Sequence, residues 1–305
     1  MMTYLLNTLL MVVTALLITG IINRTRSILS GRKGPRLFQH LLNVRLLLRK
    51  GAVYSSTTSA LFRAVPSFYL GSAIVAFLFI PVGDLYPLLS FDGDIVAFAY
   101  LLAIGRVGII LAAMDTGSSF EGMGASREAL YGALVEPAIM LIAATLALIF
   151  GYTSFADIFS AARQLDIQLT IVMLLAAYLL VRIIFVESGR SPVDDPRTHL
   201  ELTMIHEVMC LDYCGVDLAM IHIAGWLKTA SFAMLAANAV AMTFCFKWWA
   251  VAPLAVLIAG LSVGIVESTQ ARNKLSRNTT FILTIAAMAA LILFVGYLLQ
   301  QNIQF

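Results

Sequence analysis

The chain has 305 residues, 60% of them hydrophobic and only 12% charged, with a mean hydropathy of +0.91 and a formal charge of +3. A soluble domain is about 45–50% apolar and about 25% charged, so this composition excludes a soluble globular protein and points to a polytopic membrane protein. The small positive excess is a topology signal and implies no nucleic-acid partner.

Apolar runs long enough to cross a hydrocarbon core, about 20 residues each, fall near 4–22, 66–86, 94–114, 129–150, 167–186, 217–245, 249–268 and 280–299. They predict an all-α protein of eight transmembrane helices in one membrane domain over 1–305. The first run lacks a basic segment before it, so it reads as a retained span and not a cleaved leader.

After it come Gly31-Arg32-Lys33-Gly34-Pro35-Arg36 and then Leu37 to Lys50. The second stretch is too short and too basic to span. It predicts an interfacial amphipathic helix over about 37–50, with its apolar face in lipid and its cations at anionic headgroups. The Gly-Pro turn before it is also a candidate docking surface for a soluble partner.

Between the third and fourth predicted spans, Asp115 to Glu128 is rich in small and charged residues. Its glycines match neither a phosphate-binding loop nor a dinucleotide fingerprint. It reads as close-packed backbone that lets charged side chains such as Asp115 and Arg127 meet others. Glu136-Pro137 then lies inside the fourth span, where an unpaired carboxylate costs on the order of 2.5 kcal/mol or more. Glu136 is therefore a candidate proton-exchanging group, or the partner of a fixed ion pair with Arg106 or Lys228.

The fifth span ends in Glu187-Ser-Gly-Arg190-Ser-Pro192-Val-Asp194-Asp195-Pro196. Glu201, His206, Glu207, Asp212 and Asp217 follow in a segment that reads as helix-like. Charge crowded against an apolar run marks a route for protons or other cations. His206-Glu207-Val-Met-Cys210 falls short of a zinc-protease helix because the second histidine is a cysteine. His206, Cys210 and Cys214 repeat at i, i+4, i+8, but on a continuous helix the outer two would stand about 12 Å apart, which disfavours a metal site. No metal is expected. Cys210, Cys214 and Cys245 make neither a disulfide framework nor a cluster-binding set. His222 reads as a hydrogen-bonded helix residue.

Arg24, Arg26, Arg32, Lys33, Arg36, Arg45, Arg49, Lys50, Arg63, Arg127, Arg190, Arg197, Arg272, Lys274 and Arg277 all fall in connections of one parity, whereas the other parity has little beyond Arg163 and Lys247. The charged loops are thus expected in the cytoplasm, with both termini outside and the chain in the inner membrane.

Gly31-Arg32-Lys33-Gly34-Pro35, the Glu187-xx-Arg190-x-Pro192-x-Asp194-x-Pro196 run, Glu201-Leu202 and Asp212-Tyr213-Cys214-Gly215 resemble the membrane subunit that docks the peripheral arm of respiratory complex I and of its [NiFe]-hydrogenase relatives. The resemblance covers nearly the whole chain. Asp115-Thr-Gly-Ser-Ser-Phe, Gly124-Ala-Ser126-Arg127-Glu128, Glu136-Pro137 and Asp194-Asp195-Pro196-xx-His199-Leu-Glu201 look more like the formate hydrogenlyase and hydrogenase-4 branch than like complex I. Complex I usually has leucine where Asp195 stands and a more acidic run around Arg197 and His199, which weighs against a quinone substrate.

The resemblance implies a subunit without catalytic residues that links a peripheral redox module to antiporter-like membrane subunits. It implies as partners [NiFe]-hydrogenase-like large and small subunits and a ferredoxin-like Fe–S subunit, which would carry the Fe–S clusters and the NiFe centre. A quinone-chamber subunit of a complex I type oxidoreductase and a stand-alone secondary transporter are the alternatives. By position, Glu136, Glu187, Asp194, Glu201 and Asp212 would line the ion path, joined by Asp195 on the hydrogenase-like pattern and by Glu207, Lys228 and Glu267 on charge and place. Arg190 would hold the loop through a fork-like pairing with a carboxylate, with His199 and His206 as relays or loop hydrogen-bonders.

Overall fold

The computed structural model describes residues 2–161, 166–195, 204–244 and 246–301. Ten α-helices are present among them: α1 Met2–Leu29, α2 Gln39–Leu47, α3 Ala60–Phe77, α4 Asp94–Asp115, α5 Ser119–Phe150, α6 Phe155–Ala161, α7 Ile167–Glu187, α8 Gly215–Thr243, α9 Trp248–Thr269 and α10 Leu275–Gln300. All but α2 and α6 are long and apolar enough to cross a membrane, which makes 8 spans. The expected number of spans is therefore found.

Three departures from the expected pattern bear on the site, each for a physical reason. The second span starts and stops earlier than 66–86. Ser59 caps α3 by accepting the Leu61 N–H at 3.2 Å. Pro66 inside the helix cannot donate to the Phe62 carbonyl, and the Tyr213 hydroxyl donates to that oxygen instead at 2.9 Å. Beyond α3 the chain is buried but not helical, and two asparagines supply what helix bonding would have supplied. Asn7 of α1 donates to the Ile80 carbonyl at 3.1 Å and accepts from the Val82 N–H at 2.8 Å. Asn238 of α8 donates to the Pro81 carbonyl at 2.7 Å and accepts from the Gly83 N–H at 2.9 Å. Irregular backbone at membrane depth persists only with such partners.

The fourth span begins at Ser119, so most of the segment expected as a loop is the first part of α5. Gly117, at φ 72, makes the break from α4. With 32 residues, α5 runs about 48 Å at 1.5 Å per residue, well beyond a hydrocarbon core of about 30 Å.

The third difference lies at 204–214, expected as helix-like. The only helical turn in it is the 3-10 turn Val208–Cys210. His206, Cys210 and Cys214 therefore share no helix face, and no cluster among the described residues could hold a metal ion.

The spans pack as α1 on α9, α3 on α4 and α8, α7 on α8, and α10 on α5. Glycines set the closest approaches, since a Cβ on Gly260 would stand 2.5 Å from Ile21 and one on Gly264 2.7 Å from Thr25. The main apolar core runs through all of these helices, and a smaller one of Phe62, Val65, Ile109, Ala125, Met209 and Tyr213 lies under the 204–214 segment. In α2, Val44 is buried while Leu41, Leu42 and Leu46, with Phe38 just before the helix, stay exposed around it. Tyr86, Phe91, Tyr152 and Phe246, in connections of the parity opposite to the Lys and Arg residues, and Trp249 in the first turn of α9 are exposed, the placement of an interfacial aromatic belt.

Asn238→Leu leaves the Pro81 carbonyl and the Gly83 N–H without partners, each worth about 1–3 kcal/mol when buried. We expect a loss of roughly 2–4 kcal/mol on that basis, read as a lower thermal-unfolding midpoint in detergent, with an unchanged midpoint as the contrary result.

Candidate functional site

Arg106 projects from α4 into the space between α5 and α7 and is 6% exposed. Three of its faces meet three carboxylates: Nε stands 3.3 Å from Glu128 Oε1, Nη1 donates to Glu136 Oε1 at 2.9 Å, and Nη2 donates to Glu187 Oε1. The guanidinium reaches α5 because position 132 is glycine, where a Cβ would sit 2.6 Å from Nη1. Lys228 of α8 closes the other side of Glu187, with Nζ 3.0 Å from Oε2 and 5.9 Å from the Tyr69 ring. Glu187, its side chain 2% exposed, is thus held by a cation on each oxygen.

From Glu128 the chain of charges continues outward. His206 Nε2 lies 3.3 Å from Glu128 Oε2, and its Nδ1 lies 3.5 Å from Asp194 Oδ2. Asp194 also accepts the N–H groups of Ile205 at 3.0 Å and His206 at 3.1 Å, and its Oδ1 faces Arg272 at 3.4 Å. Burial would raise the Asp194 carboxyl, but the His206 ring and N–H and the Arg272 guanidinium hold it below the usual carboxylate range. Burial would likewise lower His206, yet Glu128 and Asp194 lift it above its ordinary value of 6.5.

The loop carrying Asp194 is pinned from the far side. Pro192 O accepts the Asn273 N–H at 2.9 Å, and Val193 O accepts from Asn278 Nδ2 at 2.7 Å. Arg190 pairs with Glu267 at 3.3 Å and touches Asn23 at 3.4 Å, while Glu267 also faces Arg26 at 3.5 Å. The expected pairing of Arg190 with a carboxylate is present, but through one nitrogen and not as a fork.

A cavity of about 730 Å³ lies beside these groups. Glu187, Arg190, Asp194, His206, Glu207, His222 and Lys228 form its polar wall, and Leu47, Leu218, Ile221 and Trp226 its apolar one. Cys210 lines it too, and burial pushes that thiol up to about 12, so it stays protonated and is a weak metal ligand at neutral pH. His222 is on α8 as expected, with its ring towards the cavity and no hydrogen-bond partner among the described residues.

Of the residues singled out from the sequence, Glu136, Glu187, Lys228, Asp194 and His206 fall on one continuous network. Glu267 and Arg190 form a separate pair at the loop's edge. Asp195 adjoins Asp194, donating its N–H to Oδ1 at 2.9 Å, and Glu207 borders the cavity. Asp212 is exposed, and its backbone N–H donates to Glu121 Oε1 at 3.1 Å. Asp115 accepts the Ser59 N–H at 2.7 Å, which places it at the start of α3 and off the network. Arg127 donates to the Met204 carbonyl at 3.1 Å and so steadies the 204–214 segment. Arg32, Lys33, Gly34 and Pro35 are exposed and distinct from the network. Pro196, His199 and Glu201, with Arg163, Arg197 and Cys245, lie outside the described residues.

In the sequence Arg106 stands out only as a pair partner for Glu136, and Glu121 and Glu128 lie in a stretch with the signature of a loop. The signal was present: Glu121, Gly124, Ala125, Glu128 and Gly132 recur at helical spacing and line one buried face of α5.

The profile of the family described as NADH dehydrogenase matches residues 2–298. The chain belongs to the NADH dehydrogenase family. This family member is 30% identical to hydrogenase-4 component C of Escherichia coli strain K12 over 85% of its own length and 84% of the relative's. It is also 30% identical to formate hydrogenlyase subunit 4 of that strain, over 65% and 64% of the two chains. NADH-ubiquinone oxidoreductase chain 1 of Triticum aestivum is 28% identical over 58% and 56%. Among solved structures, a chain of the membrane-bound sulfane sulfur reductase, an archaeal respiratory membrane complex, superposes with a TM-score of 0.73 at 20% identity, over 96% of this chain and 100% of that one. That likeness shows a shared fold. The NADH dehydrogenase family chain is thus a multi-span membrane protein whose relatives are components of oxidoreductase complexes.

Gly132→Ala puts a methyl group within 2.6 Å of Arg106 Nη1 and 2.9 Å of its Cδ. The guanidinium must move, so we expect this small substitution to reproduce the phenotype of Arg106→Lys. Breaking one buried pair costs about 3–5 kcal/mol, and the shared loss is read as lower thermal stability of the purified protein, with wild-type stability in Gly132→Ala as the contrary result.

Proposed function

We propose that the chain is the non-catalytic membrane subunit of an energy-converting [NiFe]-hydrogenase or formate hydrogenlyase-like complex, coupling a peripheral redox module to ion movement. The observation that carries this reading is the unbroken run Asp194, His206, Glu128, Arg106, Glu136 and Glu187, Lys228. It joins the loop beside the cavity to Glu136, whose side chain is 39% exposed near the middle of α5. A structural ion pair needs two partners. A ladder of this length, closed at one end by a loop and open at the other on the bundle surface, suits a conduit.

In this reading, a change of charge near Asp194 and His206 alters the field on Glu128, and through Arg106 on Glu136 and Glu187. At an effective dielectric near 20, unit charges about 4 Å apart interact by about 4 kcal/mol, enough to move a proton between neighbours. Glu136 would hand the ion on to an adjoining antiporter-like membrane subunit. The partner redox subunits, hydrogenase-like large and small chains and a ferredoxin-like chain, would carry the Fe–S clusters and the NiFe centre. The names of the hydrogenase-4 and formate hydrogenlyase relatives support that choice. The parity of the Lys and Arg residues supports a cytoplasmic face for the charged loops, both termini outside and an inner-membrane location.

One observation favours a second reading. The cavity joins a charged end to an apolar wall, which suits a quinone: Lys228 and His206 would hold its oxygens, Leu218, Ile221 and Trp226 its tail, and the quinone would supply two-electron, two-proton acceptor chemistry. Inhibition of the assembled complex by quinone-site inhibitors would select this reading, and hydrogen evolution would select the first.

Glu136→Gln and Glu187→Gln test the shared core of both. We expect each to leave the complex assembled and to lower redox-driven ion transport in inverted vesicles about tenfold or more, a loss near 1.4 kcal/mol of coupling. Wild-type transport in an assembled variant overturns the assignment. Mass spectrometry of the intact complex purified through this chain is expected to find a large partner with two Cys-x-x-Cys pairs, and a purification without any redox chain counts against the proposal.

A further inference from the structure

Between the loop after α7 and the first turns of α5, one imidazole touches carboxylates of both. His206 faces Glu128 of α5 at 3.3 Å through Nε2 and Asp194 of the loop at 3.5 Å through Nδ1. Both ring nitrogens are buried and make no hydrogen bond among the described residues, so their approach to the two carboxylates is that of an ion pair, which only a protonated ring completes; the side chain stays 23% exposed along its edge to the cavity. The ring is seated on Gly189, where φ is +58 and a Cβ would stand 2.7 Å from Nδ1, so the backbone there is shaped around the imidazole. The same Asp194 oxygen that meets the ring accepts the Ile205 and His206 N–H groups, so one contact fixes both the side chain and the segment carrying it.

An imidazole donates from both nitrogens only when it carries two protons, and with one proton it donates from one nitrogen and repels a carboxylate at the other. We propose that His206 is a proton-dependent latch: doubly protonated, it ties the Asp194 loop to Glu128 of α5, and singly protonated it must let one of them go. The ligand is a proton, delivered from the cavity that the ring edge borders. This deepens the coupling role proposed above, whose consequence the latch would regulate, but the latch itself rests on the chain's own geometry.

The charged groups around it set the sign. From α5 comes Glu128, from the loop after α7 Asp194, from α8 Lys228, and behind Glu128 stands Arg106 of α4 with Glu187 of α7. Arg272, ahead of α10, holds the other oxygen of Asp194 at 3.4 Å, and Glu207 is next in the chain. Two near anions outweigh the more distant cations, which agrees with a ring titrating above 6.5. A raised value means that the latched form is complete below the ordinary value and is lost as pH rises through the raised one.

Hydrogen–deuterium exchange of the purified, assembled complex tests this without turnover, with each rate corrected for its intrinsic pH dependence. Protection of the peptide holding the Ile205 and His206 amides is expected to fall about tenfold or more between about pH 6 and about pH 9, the size of one charge-assisted hydrogen bond. H206Q, which hydrogen-bonds but does not titrate, should give low and flat protection. E128Q should move the wild-type midpoint down towards the ordinary histidine value. A flat wild-type profile, an unchanged titration in H206Q or an unmoved midpoint in E128Q overturns the latch, and the wild-type profile decides the matter even where a variant fails to assemble. A titrating latch together with wild-type transport in Glu136→Gln would leave the latch standing and remove the coupling role.

Discussion

The fold closes around the guanidinium of Arg106. A cation taken out of water costs several kcal/mol even after relaxation, and it is tolerated only when its donors all find acceptors. Arg106 donates hydrogen bonds to Glu136 of α5 and Glu187 of α7 and holds Glu128 of α5 by charge at 3.3 Å from Nε, so a single side chain fixes how three spans stand to one another. Lysine could not do this, because it is a point charge without a planar set of separated donors. With Lys228 added, two cations face three carboxylates, and the cluster is left one positive charge short. A site with that imbalance takes up a proton more readily than a closed pair does, and it adjoins the His206 ring through Glu128.

Polar side chains solve the backbone's problems elsewhere in the membrane domain. Tyr213 meets the carbonyl that Pro66 abandons, Asn7 and Asn238 serve the irregular turn after α3, and Asp94 accepts the Phe155 N–H and the Ser154 hydroxyl where α6 begins. Each of these links distant parts of the chain, and each lies at a helix end or a proline. Buried polar groups here thus have two separate tasks. Those at the chain's turns satisfy backbone, and those around Arg106 satisfy one another.

That division explains what could be read from the sequence. Hydropathy sets the cost of each span directly, so the eight spans were legible, as was the cluster after the fifth. Glu136, Glu187, Lys228, Asp194 and His206 were legible because a charge beside or inside an apolar run is costly wherever it lies. The start of α5 was hidden because glycines, serines and charges at 117–128 carry the local signature of a loop, while helix there is stabilised by tertiary contact: a Cβ on Gly124 would stand 2.3 Å from Val208. The irregular course of 204–214 was hidden for the complementary reason. Asp194 and Glu121 take its N–H groups from distant positions, and no local propensity reports such bonds. The central place of Arg106 is not legible locally because its partners sit on α5 and α7, and only the folded geometry brings them to it.

Glu136 makes the bundle incomplete by itself. Its carboxylate meets Arg106 through one oxygen and is 39% exposed on a helix face that also presents Ala133 and Pro137. Left against hydrocarbon, such a group costs on the order of 2.5 kcal/mol or more. Turning it inward would need room that Val135 and Ala138, both 0% exposed, already fill. The remaining way to lower the cost is to bring water or a polar neighbour to the outside of α5. The packing that holds Arg106 in place thus leaves one of its carboxylates facing outward, and under the proposed function stability and the ion's route out of the bundle would have the same origin.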